Sequence, residues 1–160
     1  MINHYAESLL EAIRQNRIED IKKILWEGGN PNIFTPQGYT ALTHAVRFNP
    51  PAVIETLLKG GATPSICEQS GKTALLIAIL LQDTEKAKII LSGGANANQY
   101  TQEGKTPLWI ATDLNDTKMV EVLLEGGADP TLTTTDGETA YARAQQRENQ
   151  DIINLLQYRQ

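Results

Sequence analysis

An all-α repeat array, rather than one globular core, is the fold class this sequence predicts, and three observations predict it. Glycines stand at Gly38, Gly71, Gly104 and Gly137, 33 residues apart. A second set, Gly28, Gly61, Gly94 and Gly127, keeps the same spacing ten residues upstream. Between the two sets, apolar residues recur at helical spacing in two short runs per period. Such an array buries apolar faces unit against unit and offers a long surface instead of an enclosed pocket.

Residues 38–70 show the grammar. Gly38-Tyr39-Thr40 is a turn into a helix with Thr40 as N-cap, and Leu42, Ala45 and Val46 follow at helical spacing. Asn49-Pro50-Pro51 ends that helix, because proline cannot continue the ladder and restricts the residue before it. A second helix is predicted from about Ala52 to Lys59, carrying Val53, Ile54, Leu57 and Leu58. Gly60-Gly61 stops it, and a loop rich in turn formers leads to Gly71.

The next two units repeat this pattern. Thr73, Leu75 and Ala78 open one, with Ala87, Ile90 and Leu91 in its second helix; Thr106, Leu108 and Ala111 open the other, with Val120, Leu123 and Leu124. Projection by one period predicts an upstream unit on Leu9, Ala12, Ile21, Ile24 and Leu25, and a downstream one on Thr139, Tyr141, Ala144, Ile153 and Leu156. Five helix pairs are expected within one domain spanning 1–160. Residues 1–37 form an N-terminal capping unit, 38–70, 71–103 and 104–136 are internal, and 137–160 form a C-terminal capping unit. The outer two are irregular. Tyr5 replaces the opening glycine, and a run of polar residues from Gln145 to Gln150 crosses the last turn, as end units with one neighbour require.

Four segments carry a family resemblance: Gly-Tyr-Thr-Ala-Leu-Thr-His-Ala (38–45), Gly-Lys-Thr-Ala-Leu-Leu-Ile-Ala (71–78), Gly-Lys-Thr-Pro-Leu-Trp-Ile-Ala (104–111) and Gly-Glu-Thr-Ala-Tyr-Ala-Arg-Ala (137–144). With Leu-Leu-Glu-Gly-Gly-Ala-Asp-Pro (123–130), they make the chain resemble an ankyrin-repeat protein over roughly residues 5–158. The resemblance implies a solenoid of stacked antiparallel helix pairs with hairpin-like loops projecting to one side. It also implies a protein-binding role through a concave groove, formed by the loop tips and the exposed side of each first helix. One departure is systematic. The family's signature histidine is absent from every unit, its column reading Leu10, Thr43, Leu76, Trp109 and Ala142. A reduced polar network, partly replaced by apolar packing, is expected there. Trp109 is open to two readings, core or groove.

Within that groove, one column reads Gln15, Phe48, Leu81, Leu114 and Arg147, apolar in the three middle units. A loop column reads Phe34, Cys67, Tyr100 and Thr133, and a position after the glycine reads Tyr39, Lys72, Lys105 and Glu138. Phe34, Tyr39, Phe48, Leu80, Leu81, Tyr100 and Leu114 therefore suggest an apolar, aromatic partner-binding stripe. The plainer alternative for the Phe48, Leu81 and Leu114 column is packing against the adjoining loop. Glu103, Asp113, Asp136 and Glu138 fall toward the C-terminal end of the same face, offset partly by Lys105 and Arg147. The expected partner is another protein with an apolar ridge and some basic residues.

Other chemistry finds little support. Gly71-Lys72-Thr73 and Gly104-Lys105-Thr106 look like the end of a phosphate-binding P-loop, but Ile66 and Gln99 occupy the place of its first glycine. His4, His44 and Cys67 offer no spaced metal ligands and no oriented nucleophile–base pair. Asp113, Asp116, Glu121 and Glu125 read as a solvated helix surface. The resemblance places Asn32 and Asn98 where some members are hydroxylated, though a turn-forming role is the simpler reading. No catalytic residue, cofactor or metal is expected.

The net charge is −5, with seven basic and seven acidic residues in 1–80 against seven and twelve in 81–160. That balance argues against nucleic acid or anionic lipid as partner. One cysteine excludes an internal disulfide. The longest apolar run, Ala74 to Leu81, is eight residues, too short to span a membrane. No signal peptide is recognised, and a cytoplasmic monomer is the expectation. A non-enzymatic interaction module is the favoured function. An immunity-type inhibitor or antidote of a basic target, or a secreted effector engaging host proteins, is the alternative.

Overall fold

The computed structural model describes residues 4–158, in which ten helices alternate with short turns and longer loops. They are α1 (His4–Arg14), α2 (Ile18–Trp26), α3 (Ala41–Phe48), α4 (Pro51–Lys59), α5 (Ala74–Leu80), α6 (Thr84–Ser92), α7 (Pro107–Asp113), α8 (Thr117–Glu125), α9 (Ala140–Gln146) and α10 (Gln150–Gln157). Each odd helix packs on its even partner and on the next odd helix, and the even helices form a parallel row behind. The result is an all-α solenoid of five helix pairs in two layers. None of the described helices is long and apolar enough to cross a membrane.

Helix starts follow from local chemistry. The hydroxyls of Thr40, Thr73, Thr106 and Thr139 accept from the backbone N–H three residues on, capping α3, α5, α7 and α9. The side chains of Asp83, Asp116 and Asn149 do the same for α6, α8 and α10. α4 has no such side chain. It begins on Pro51, which has no N–H to satisfy.

The turn within each pair is tight. Asn16, Gln82, Asn115 and Glu148 adopt left-handed backbone there, with φ between 55° and 60°. In the second unit Asn49-Pro50 replaces that residue with extended backbone. The Asn49 side chain then turns back to donate to the Ile13 carbonyl at 2.7 Å, binding α3 to α1.

Stacking relies on one glycine in each of the three internal units. Leu25, Leu58 and Leu91 lie against Gly60, Gly93 and Gly126, where an added Cβ would fall 2.3–2.7 Å from a leucine methyl. The core is a continuous row that includes Leu9, Ile21, Ile54, Leu57, Ile77, Ile90, Leu108, Leu123, Ile152 and Leu156. At the C-terminal end Tyr141 and Ile153 are only half-buried, whereas their counterparts Leu42, Leu108, Ile54 and Val120 are fully covered. Tyr5, expected at an opening turn, instead lies inside α1, because the first helix starts early.

Loops between pairs fold back as hairpins. Phe34 bridges Thr40, and Thr133 bridges Thr139, each as an isolated antiparallel pair. Successive hairpins bond to each other: the N–H groups of Gln69 and Thr135 donate to the Gly38 and Gly104 carbonyls at 2.8 and 2.9 Å. Asn32 and Asn98 do more than form turns. Their side chains accept from the Thr63 and Asp129 backbone N–H groups, each at 2.8 Å, and so tie one unit to the next. The turn-forming side chains are Asn30, Asn96 and Asp129, two residues earlier in the loop pattern.

Candidate partner-binding face

The hairpins and the odd helices together form one face of the solenoid. A cleft between the loops at 70–72 and 101–105 and helices α5 and α7 runs along it. Most sequence-predicted site residues reach this face, in three different settings.

The first is an aromatic cluster in the second unit. Phe48, last residue of α3, is 62 % exposed although its ring touches two others. Its centroid lies 6.0 Å from Tyr39 and 5.0 Å from His44. The Arg47 guanidinium sits 5.0 Å over the Tyr39 ring, a cation–π contact. His44 and Arg47 were not among the residues the repeat columns singled out. His44 stands four residues before Phe48, the spacing that puts two side chains on one helix face, but nothing in the spacing places Arg47 over Tyr39 across the turn.

Burial pushes the His44 imidazole below its ordinary value; the Asn49 side chain, bonded to Nδ1 at 3.2 Å, opposes this, and Arg14 adds to it. The Arg47 guanidinium donates to Glu68 in the next loop at 2.6 Å, and Glu68 also accepts from the Ser70 hydroxyl.

The second setting is the middle of the face. Leu80 and Leu81 are exposed at the end of α5. Leu114, in the same column, is only half-buried and packs against the core. The column therefore divides: Phe48 and Leu81 protrude, while Leu114 serves stacking as well. Phe34 and Tyr100 are exposed in their loops, and the Tyr100 hydroxyl donates to the Thr133 carbonyl at 2.8 Å.

The third setting is the acidic end of the face, where two of the expected carboxylates are partnered within the chain. Trp109 is buried, 3 % exposed, yet it lines the cleft and stands outside the contiguous apolar core. Its Nε1 donates to Glu138 at 2.9 Å. Lys105 Nζ lies 4.3 Å from the ring centroid and Arg143 Cζ lies 4.4 Å from it. Arg143 also approaches Asp113 at 3.3 Å and Glu138 at 3.6 Å, and Arg147 donates to Asp113 at 2.6 Å.

Asp113 and Glu138 are thus matched by two arginines of the last unit and present no open acidic surface. Asp113 is no solvated bystander, and Asp116 is the cap of α8. Glu103 and Asp136 remain exposed in their loops. The Glu103 carboxyl is held below the usual range first by its own backbone N–H, then by the Thr101 hydroxyl, and less by Lys72 and Lys105.

The phosphate-loop look-alikes also have a structural account. Thr73 and Thr106 spend their hydroxyls on capping α5 and α7, and Gly71 and Gly104 hold the left-handed backbone of a hairpin. Outside this face, Trp26 is 91 % exposed at the end of α2, beside a shallow groove between α2 and α4.

Two helices per unit, hairpins that bond to each other, and an unbroken period narrow the family. A model described as ankyrin repeats (3 copies) matches residues 9–101 and again 83–160. The chain belongs to the ankyrin-repeat family. A comparison with curated proteins finds no match. Ankyrin repeats are generally protein–protein interaction modules and are typically non-enzymatic. In this ankyrin-repeat chain the missing signature histidine is replaced differently in each unit. Thr43 is fully buried and donates to the Thr40 carbonyl at 3.2 Å, Leu76 packs in the core, and Trp109 carries the polar link to the last unit.

Proposed function

We propose that this chain is a non-enzymatic interaction module that docks a partner protein on the face made by its hairpins and odd helices. The observation that carries the reading is the Tyr39–His44–Phe48 cluster. A phenylalanine this exposed, packed beside two rings with an arginine alongside, is a preorganised apolar anchor with little freedom left to lose on binding. Leu80 and Leu81 extend the apolar surface into the next unit, and Phe34 and Tyr100 supply aromatic edges on the loops.

Affinity capture from native lysate, read by mass spectrometry, tests this. Tyr39→Ala with Phe48→Ala removes the captured protein while the thermal transition stays near that of the parent. Capture that survives both substitutions sinks the assignment.

The geometry adds nothing to the inhibitor alternative, whose support is the acidic excess of residues 81–160. The secreted-effector alternative likewise gains nothing from the geometry.

A further inference from the structure

The cleft between α5, α7 and their loops has a chemistry of its own. Its floor is apolar, made by Leu76, Leu80, Ile110 and Leu114 with the edge of Trp109. Its volume is about 280 Å³, just under the range of about 300 to 1,000 Å³ typical of drug-sized ligands. A cleft of that size and lining suits one large apolar side chain better than a whole small molecule.

The rim decides what flanks that side chain. Lys72 and Lys105 stand on the loop side. Among the described residues neither has a carboxylate within 4 Å, and Lys72 bonds only to the Ser70 hydroxyl, at 3.2 Å. On the far side Asp113 is taken by Arg143 and Arg147. Glu103 is the other acid at the mouth, exposed in its loop. It offsets one ammonium, which leaves one positive charge unmatched beside an apolar floor.

The geometry points to a partner segment in extended conformation, placing a large apolar residue on Leu80 and Ile110 and an adjacent acidic residue between Lys72 and Lys105. This rests on the loop-bearing face being the docking face. It departs from the expectation of basic residues on the partner, which rested on Glu103, Asp113, Asp136 and Glu138. Complementary charge of this kind sets register and discriminates against partners carrying lysine or arginine at that place.

Selection of a random linear peptide library displayed on phage against the intact chain tests both parts. The expected consensus is a large apolar residue next to aspartate or glutamate. Lys72→Glu with Lys105→Glu weakens those peptides by about tenfold or more, and Leu80→Glu abolishes their binding, with all variants keeping the parental helical signal. A consensus with lysine or arginine beside the apolar residue, or indifference to the lysine reversal, overturns the acidic preference.

Peptides that ignore Leu80→Glu, or a selection with no enrichment, overturn the cleft. Failure here with loss of capture in the Tyr39→Ala, Phe48→Ala variant leaves the docking face standing. Failure of both removes the docking face as well.

Discussion

Arg47 Nη2 donates to Glu68 Oε1 across 2.6 Å, and the pair joins α3 to the hairpin that follows α4. Its logic lies in the repeat. At the position of Glu68 the other hairpins carry Thr35, Thr101 and Thr134, whose hydroxyls accept from the backbone N–H four residues on. A glutamate there is buried, its side chain 2 % exposed, and a buried carboxylate is costly unless paired. The preceding helix supplies the cation, and its ring contact with Tyr39 places the same arginine beside the docking cluster.

Removing Arg47 therefore costs more than an exposed ion pair would. Arg47→Met leaves Glu68 buried without a cation, with only the Ser70 hydroxyl still bonded to it, and should lower stability by about 3 kcal/mol, the low end for a broken buried pair because Arg47 is itself a quarter exposed. Adding Glu68→Thr, which restores the residue of the other hairpins, should recover most of the loss. Urea denaturation of the two single variants and the double measures this, and additive losses would show that the two residues do not act as a pair.

Acid sensitivity should trace to His44. Burial disfavours its charged form, so the folded chain binds fewer protons than the unfolded one between the lowered value and the ordinary 6.5. Stability then rises with pH through that window and falls as the pH drops through it. His44→Gln should flatten this part of the thermal-transition profile. An unchanged slope below pH 6.5 would place the effect on other groups.

The two tryptophans should report opposite environments. Trp26 is almost fully exposed and Trp109 is enclosed between Lys105 and Arg143. In Trp26→Phe the remaining emission should lie to the blue and resist acrylamide. In Trp109→Phe it should lie to the red and be quenched readily. Glu138→Gln, which weakens the acceptor for Nε1 and unbalances Arg143, should loosen Trp109 and increase its quenching in the Trp26→Phe background.

What could be read from the chain and what could not separates by distance. Thr40, Thr73, Thr106 and Thr139 announce their helices because a cap bonds three residues away, within one stretch of sequence. The helix pairs and their order follow from the period for the same reason. The offset by Arg147 was legible from the repeat column, but Arg143, which also meets Asp113 and Glu138, was not, because those contacts form only once α9 folds against α7. Trp109 could not be placed for a related reason: its column predicted burial, but the partner of its N–H lies in the next hairpin. Phe48 and Leu114 share a column yet differ in exposure. Periodicity gives position on a helix, not the neighbours of the side chain.

Neighbouring glycines at the end of α6 make that distinction measurable. Gly94 has φ +94° and open space around it, so Gly94→Ala suffers only from left-handed backbone, at about 1–2 kcal/mol. Gly93 is a helix C-cap with φ −81°, which alanine tolerates, but its Cβ would fall 2.7 Å from a Leu58 methyl. Gly93→Ala should therefore destabilise by about 1 kcal/mol or more, through displacement of Leu58.

The two mechanisms part in a Leu58→Ala background. There the contact is gone, and Gly93→Ala should become neutral or slightly stabilising, since it restricts the unfolded chain. Gly94→Ala should keep its full cost. Double-mutant cycles by chemical denaturation give the coupling directly, and equal coupling of both glycines to Leu58 would rule out the stacking role assigned to Gly93.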